Sequence, residues 1–362
     1  MDLPPGGVPG AHCFPQPTCP CEVAVGALSM CRIRVATAAI AVLTSVSCAA
    51  EPAPPPGAPA PTAATPALPA AADVLTRGAV VIKATPNPDW AVATPGGVWV
   101  SGVDPGLKRY DVLTGEPTGE VPIYSVCMAM DHGFESVWAA SCSYESPSVL
   151  RIDTTTGRTT AEIPMPARLP AESSIGAGEG AVWVLTSGSD RKLVGIDPGS
   201  NAITSTFPAP DGATAVRAGL GAIWVTVGGT GNVLRLDPRS GTVAATVAVG
   251  QAPHFLAVGA DAVWVLNKLD GTVSRIDPRS GTVAATITVS AGPIKGGDIV
   301  AAVDAVWVRA TDVLAVRIDP QTNTVTERLG PPAGSGSLAV AGGSLWITAH
   351  DTQSVWRVPT AR

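Results

Sequence analysis

Within residues 262–281 stand Ala262-Val263-Trp264-Val265-Leu266, then Val273-Ser274-Arg275-Ile276, then Asp277-Pro278-Arg279-Ser280-Gly281. The first run is apolar at five consecutive positions, so a strand there is buried on both faces. The last is a turn: Pro presets φ, Asp accepts backbone hydrogen bonds, and Gly supplies the left-handed residue that closes a hairpin. Upstream, Phe255-Leu256-Ala257-Val258 reads as an earlier strand and Gly259-Ala260-Asp261 as its turn; downstream, Thr282 to Val289 is a fourth strand. Four short antiparallel strands make one unit.

The unit recurs. Trp99, Trp138, Trp183, Trp224, Trp264, Trp307 and Trp346 are separated by 39, 45, 41, 40, 43 and 39 residues. A period near 40 in β-rich sequence is that of a propeller blade. The same turn stands at Asp237 to Gly241, with variants from Asp111, Asp153, Asp197 and Asp319, and Arg235–Val247 differs from Arg275–Ile287 at two of thirteen positions, as a recent duplication would. The expected fold is all-β, a seven-bladed β-propeller with four antiparallel strands per blade. A β-sandwich or a solenoid of such units competes with it.

The ends fit a ring. After the seventh Trp, Ser354-Val355-Trp356-Arg357-Val358 is a third strand and the chain then stops one strand short. Ala79-Val80-Val81-Ile82-Lys83 is a spare strand ahead of the first unit, and a closing strand at about 79–84 would complete the last blade and leave no long exposed edge. The chain ahead of it should then leave from beside that last blade.

Hydrophobic residues are 46% and charged residues 14% of the 362, with 39 Gly and 35 Pro, a balance that suits short strands and turns better than helices. Formal net charge is -6 without any Lys/Arg run, which excludes the basic footprint of nucleic-acid binding. The front of the chain reads as an address. Arg32 and Arg34 precede an apolar run from Val35 to Val46, too short to span a bilayer and shaped like a secretory signal. It ends in Ser45-Val46-Ser47-Cys48, which resembles a bacterial lipobox with Cys48 as the lipid anchor; ordinary cleavage near Ala49 or Ala50 is the alternative. Residues 1–29 sit awkwardly before such a signal, so Met30 is the expected start. The domain reading is 1–29 as a mis-assigned start or disordered, 30–47 as signal, 48–75 as a lipid-anchored, Ala/Pro-rich disordered linker, and 76–362 as the propeller. The expected place is the bacterial cell envelope, at the outer face of the cytoplasmic membrane, or outside the cell if the signal is simply cleaved.

The chain resembles extracytoplasmic propellers of the YVTN and NHL type, including the streptogramin (virginiamycin B) lyase-like repeats. The resemblance rests on the Val-Trp-Val second strand, the Arg-Ile-Asp-Pro-x-Ser/Thr-Gly stretch and the Gly/Pro-led first strand, over about residues 76–360. For the lyases it implies a channel His, acidic residues and Mg²⁺, with the Trp strand commonly running on into a Glu. Here those places hold Gly102, Ser141, Thr186, Val227, Asn267, Ala310 and Ala349, with no carboxylate. That departure weighs against lyase activity, and no cofactor is expected outside that reading.

Propeller ligands meet the face that carries the loops into the first strand and out of the second. Aligned on the Trp residues, Asp89, Trp90, Asp131, Arg217, His254 and Asp298 fall near the start of the first strand, and Lys268, Arg309, His350 and Asp351 just past the second. These form the expected binding rim. No pair has the spacing of a catalytic motif, but His254, and His350 beside Asp351, are the acid–base candidates. His132 reads as structural. The body of the chain has no paired-Cys metal motif. Cys127 and Cys142 stand equidistant from the centre of the hairpin around Trp138's strand and should face each other, as a disulfide or as free buried thiols. The leading expectation is a monomeric binding or scaffold module for a small molecule, a peptide or an envelope protein, held to the membrane by its lipid. A lyase or hydrolase working through a channel His and a divalent metal is the alternative.

Overall fold

The computed structural model describes residues 67–170, 172 and 174–360, and in it seven antiparallel sheets stand in a ring, their first strands side by side around the axis. The signal, Cys48 and the Met30 start lie outside the described residues. In the fifth blade the strands are Pro253–Gly259, Ala262–Asn267, Thr272–Asp277 and Thr282–Thr288, paired in that order. All six residues of its second strand are buried, the five apolar ones as a strand packed between two neighbouring sheets requires and Asn267 through hydrogen bonds to Thr272 and Ser274. Antiparallel alternation then puts the starts of the first strands and the ends of the second on one face, the mouth face, and the Asp-led turns on the other.

The repeated Trp is fixed in a repeated way. In blades two to five the indole Nε1 of Trp138, Trp183, Trp224 and Trp264 donates to the carbonyl of the glycine five residues earlier, at 3.1 Å each time. That glycine also lets the next blade approach: a Cβ on Gly178 would stand 2.5 Å from the Ala218 carbonyl oxygen, and one on Gly259 2.9 Å from that of Ala301. Trp99 and Trp346, with Thr94 and Ala341 at that place, leave Nε1 without a partner. Opposite the indole, on the third strand, stands an arginine. Arg109, Arg151, Arg235, Arg275 and Arg317 each hold the guanidinium carbon 5.1 to 5.9 Å from the Trp ring centre, close enough for cation–π attraction. Some go on to tie blades together: Arg275 donates to Pro320 O at 3.0 Å and Asn323 Oδ1 at 2.9 Å, both in the turn of the next blade.

The Asp-led turns are built as the sequence implies. Asp277 Oδ1 accepts from the N–H groups of Arg279 and Ser280 at 2.8 and 2.9 Å, and Asp111, Asp153, Asp197, Asp237 and Asp319 repeat the arrangement. These donors, with the Ser200 hydroxyl foremost for Asp197, hold all six carboxyls below the usual aspartate range.

The ring closes where expected. Val80–Lys83 pairs antiparallel with Ser354–Pro359, with Val81 opposite Trp356 and Ile82 opposite Val355, as the outer strand of the seventh blade. The chain ahead of it does not leave from beside that blade. Ala71–Ala72 pairs in parallel with Arg328 and Leu329 as a fifth strand on blade six, and Arg328 donates to Pro69 O. Val74, fully buried, packs with Trp307 of blade six and with Leu345 and Val358 of blade seven. The folded body thus begins earlier than residue 76, because the outer edge of blade six offers free backbone groups and the crevice beside it takes an apolar side chain. Cys127 and Cys142 form a disulfide, Cα to Cα 5.6 Å, at one end of the second blade's first hairpin.

Candidate functional site: the mouth of the ring

The first strands carry polar side chains of two kinds, not all of them at the mouth: Asp131 and Arg217 stand opposite Trp138 and Trp224, toward the turn end of their strands and not near the start as expected. One kind holds the blades together. Asp298 accepts from Ser337 Oγ at 2.6 Å, Leu338 N–H at 3.1 Å and its own neighbour Ile299 N–H at 2.7 Å, so it joins blade six to blade seven. Burial nonetheless pushes its carboxyl up from the ordinary range. Asp131 does the same between blades two and three, accepting from Ala177 N–H at 2.8 Å and His132 N–H at 2.9 Å. Arg217 donates to Ile175 O at 2.7 Å, back onto blade three. Arg309 has no exposed surface: its guanidinium donates to the carbonyls of Thr348, Ala310, Val313, Leu314, Ala333 and Gly334 across blades six and seven. Loss of hydration pushes it down to about 10, still charged at neutral pH. Arg309 is therefore a staple and not part of the rim. His132 is half-buried, and burial lowers its pKa.

Trp90 is not on the rim either. It is 3% exposed, its Nε1 donates to Met130 O at 3.1 Å, its ring lies 6.0 Å from that of Phe255, and Arg217 sits 5.9 Å above it. Residues of blades one, two, four and five thus meet on the axis. Trp90 narrows the expected central channel at this level, and the candidate site lies in the cavities at the mouth.

The second kind faces that mouth. Asp89 and His350 line one cavity of about 380 Å³, together with Asp104, Val103, Ile123, Val126 and Met128. Burial is the main reason the Asp89 carboxyl rises to about 6, opposed by His350 and reinforced by Glu172, Asp298 and Asp351. His350 Nδ1 lies 2.9 Å from Asp351 Oδ1, the pair that their adjacency allows. His254 lines a second cavity of about 470 Å³ with Glu172, Arg191 and Thr214. His254 Nε2 stands 3.4 Å from Glu172 Oε2, an ion-pair contact too long for a good hydrogen bond, and has no other polar partner. That imidazole, against the effect of burial, holds the Glu172 carboxyl below its ordinary range. Lys268 Nζ lies 5.3 Å from the Phe255 ring centre. The two candidate histidines therefore face different cavities. Among the described residues no group of three His, Cys, Asp or Glu is placed to hold a metal ion.

Glu172, which the sequence did not single out, lies in the loop that feeds the third blade, one place further from Trp183 than Asp89 and His254 are from Trp99 and Trp264. Met128 is bridged to Glu172 through the backbone.

The fold and the mouth define a seven-bladed β-propeller with two cavities on one face, each lined by a few polar groups on a largely apolar surface. Among solved structures it is similar to a streptogramin B lyase (16% identity over 77% of this chain and 97% of that one, TM-score 0.63). It is likewise similar to the WD40 repeats of RRP9 (13%, 78% and 97%, 0.64) and to BamB from Moraxella catarrhalis (15%, 74% and 84%, 0.50). At these identities the likeness is one of fold. No protein-family model matches the sequence, and no curated protein matches it.

Proposed function

We propose that the protein is an extracytoplasmic binding module, held at the outer face of a bacterial cytoplasmic membrane by a lipid on Cys48, that takes a small molecule or a peptide at its mouth. The observation that carries this reading is the division of labour among the polar residues. Asp131, Asp298, Arg217 and Arg309 are used up in joining blades, whereas Asp89, His350, Glu172 and His254 remain at cavities open to solvent. Concave sites with a few convergent polar groups on an apolar lining are where ligands bind. The propeller likeness to BamB and to WD40 repeats agrees with a platform role. A thermal-shift screen on the full chain tests it: hits should be lost in Asp89→Asn or His350→Ala, and hits that persist in both variants would remove the mouth from the reading.

The Glu172–His254 pair keeps the second reading, a streptogramin lyase-like or hydrolytic enzyme, in play, since a carboxylate beside an imidazole can orient it as a base. Among the described residues the site does not suit the Mg²⁺ that this reading calls for, with two candidate ligands where three or more are wanted. Incubation of the full chain with virginiamycin B and MgCl₂, followed by mass spectrometry, decides: an unchanged substrate ends the lyase reading.

A further inference from the structure

The same chain treats its half-buried and buried carboxylates unequally. Asp131 and Asp298 are each supplied with backbone N–H donors, and Asp298 with a serine hydroxyl besides. Asp89 is not. Its backbone is fixed, the N–H donating to Ser101 O at 3.1 Å and the carbonyl accepting from Thr348 Oγ1, yet its carboxylate accepts no hydrogen bond from any described residue. His350, which lines the same cavity, has its Nδ1 against Asp351. No Lys or Arg lines the cavity that Asp89 faces, while Val103, Ile123, Val126 and Met128 do, with Asp104 as a second carboxylate. A half-buried carboxylate without a protein donor is incompletely solvated, and it is a ready acceptor for a charged donor brought in from outside.

We propose that this cavity takes an ammonium ligand with an apolar body, the cation on the Asp89 carboxylate and the body against Ile123, Val126 and Met128. The assignment rests on the mouth being the binding site and adds the chemical class of what binds there. A volume of about 380 Å³ admits a single aromatic or short aliphatic amine, or the amino end of a larger molecule. The disulfide holds the wall that carries Val126 and Met128, since Cys127 lies between them.

Calorimetric titration of the full chain with three probes of like size tests the proposal: 2-phenylethylammonium, neutral 2-phenylethanol and anionic 3-phenylpropanoate. The cation should bind at least about tenfold more tightly than either of the others, in keeping with a charge-assisted hydrogen bond. Asp89→Asn, which keeps the shape and is checked for folding by its thermal melt, should bring the cation down to the affinity of the alcohol. Lowering the pH through about 6 should weaken the cation as Asp89 takes up its proton. The other titrating groups that act on it are His350, Glu172, Asp298 and Asp351. Undiminished binding of the cation to Asp89→Asn would overturn the proposal. So would equal affinity for cation and alcohol, although a loss of both in Ile123→Asp would still leave the mouth as the binding site. Failure of all three probes to bind also overturns the ammonium assignment, and leaves the mouth reading to be judged by the screen described above.

Discussion

Trp183 stands directly opposite Gly195, and the indole lies over the bare glycine backbone. Every other blade places an arginine opposite its Trp. In the third blade the ring is instead stacked by Phe207 of the fourth strand, centre to centre 6.0 Å. A Cβ on Gly195 would sit 2.9 Å from Trp183 Cζ3 and 3.1 Å from Ser205 Cβ. Gly195→Ala should therefore destabilise the protein by about 1–3 kcal/mol through overpacking. Gly199→Ala, whose Cβ meets nothing nearer than 3.6 Å, should be close to neutral; paired urea titrations compare them.

Removal of residues 78–84 takes away the outer strand of the seventh blade and bares the edge of Ser354–Pro359. Loss of at least about 3 kcal/mol, or roughly 5–10 °C in Tm, is expected for a ring of this size. Removal of residues 49–66 should leave the melt unchanged. Calorimetry of the two deletions distinguishes them.

The disulfide closes a loop with a sequence separation of 15. Chain-entropy arguments give about 3 kcal/mol for a loop of that length. Reduction, or Cys127→Ser with Cys142→Ser, should lower the melting temperature accordingly. Equal masses of the alkylated protein with and without reduction would show that the bond is not made.

Asp89→Asn should stabilise the protein at neutral pH. The carboxyl is raised from its ordinary 3.8 to about 6, so the folded state holds its proton more firmly than the unfolded one. Its favourable contribution is complete below about 3.8 and is lost as the pH rises to 6. The gain on substitution should accordingly be absent at pH 3.5, grow across that window and level off above it, at about 1–2 kcal/mol once the partial exposure of the site is discounted. The six turn aspartates run the other way: lowered in the folded state, they stabilise above their unfolded value, and that contribution fades as the pH falls below about 4. Thermal melts of both proteins from pH 3 to 8 check the two signs together.

Arg309→Met should cost about 3 kcal/mol, because several of six carbonyls would lose their only charged donor in a dry crevice. Arg309→Lys should recover part of this, an ammonium having fewer donors and no planar fork. Guanidinium chloride titrations of the three proteins give the order.

The architecture was legible because it repeats. Seven Trp residues, the Asp-led turns and the spare strand before the first unit each announce local structure whose meaning does not depend on what lies across the ring. The equal spacing of Cys127 and Cys142 about one hairpin is of the same kind. The mouth was legible only as a set of positions. Spacing from the Trp groups Asp89, Asp131 and Asp298 together at the first strands, and nothing in that spacing says that Ala177 and Leu338 offer their N–H groups to the latter two while Asp89 meets none. Trp90 narrows the axis because Phe255 faces it from four blades further on, a contact between residues 165 apart that no periodicity encodes. Arg309, charged in sequence and wholly buried in the fold, shows how far a residue's type can mislead when the backbone of two blades supplies its partners.

The parallel pairing of Ala71–Ala72 on blade six has a mechanical consequence. A pull arriving along the chain from before residue 67 is first taken in shear by those pairs, by Arg328 on Pro69 and by the buried Val74. The strand that closes the ring lies further on, at Val80–Lys83. Tension can therefore strip the cleat on blade six, and slacken the line, before any load reaches the seam that keeps seven blades circular.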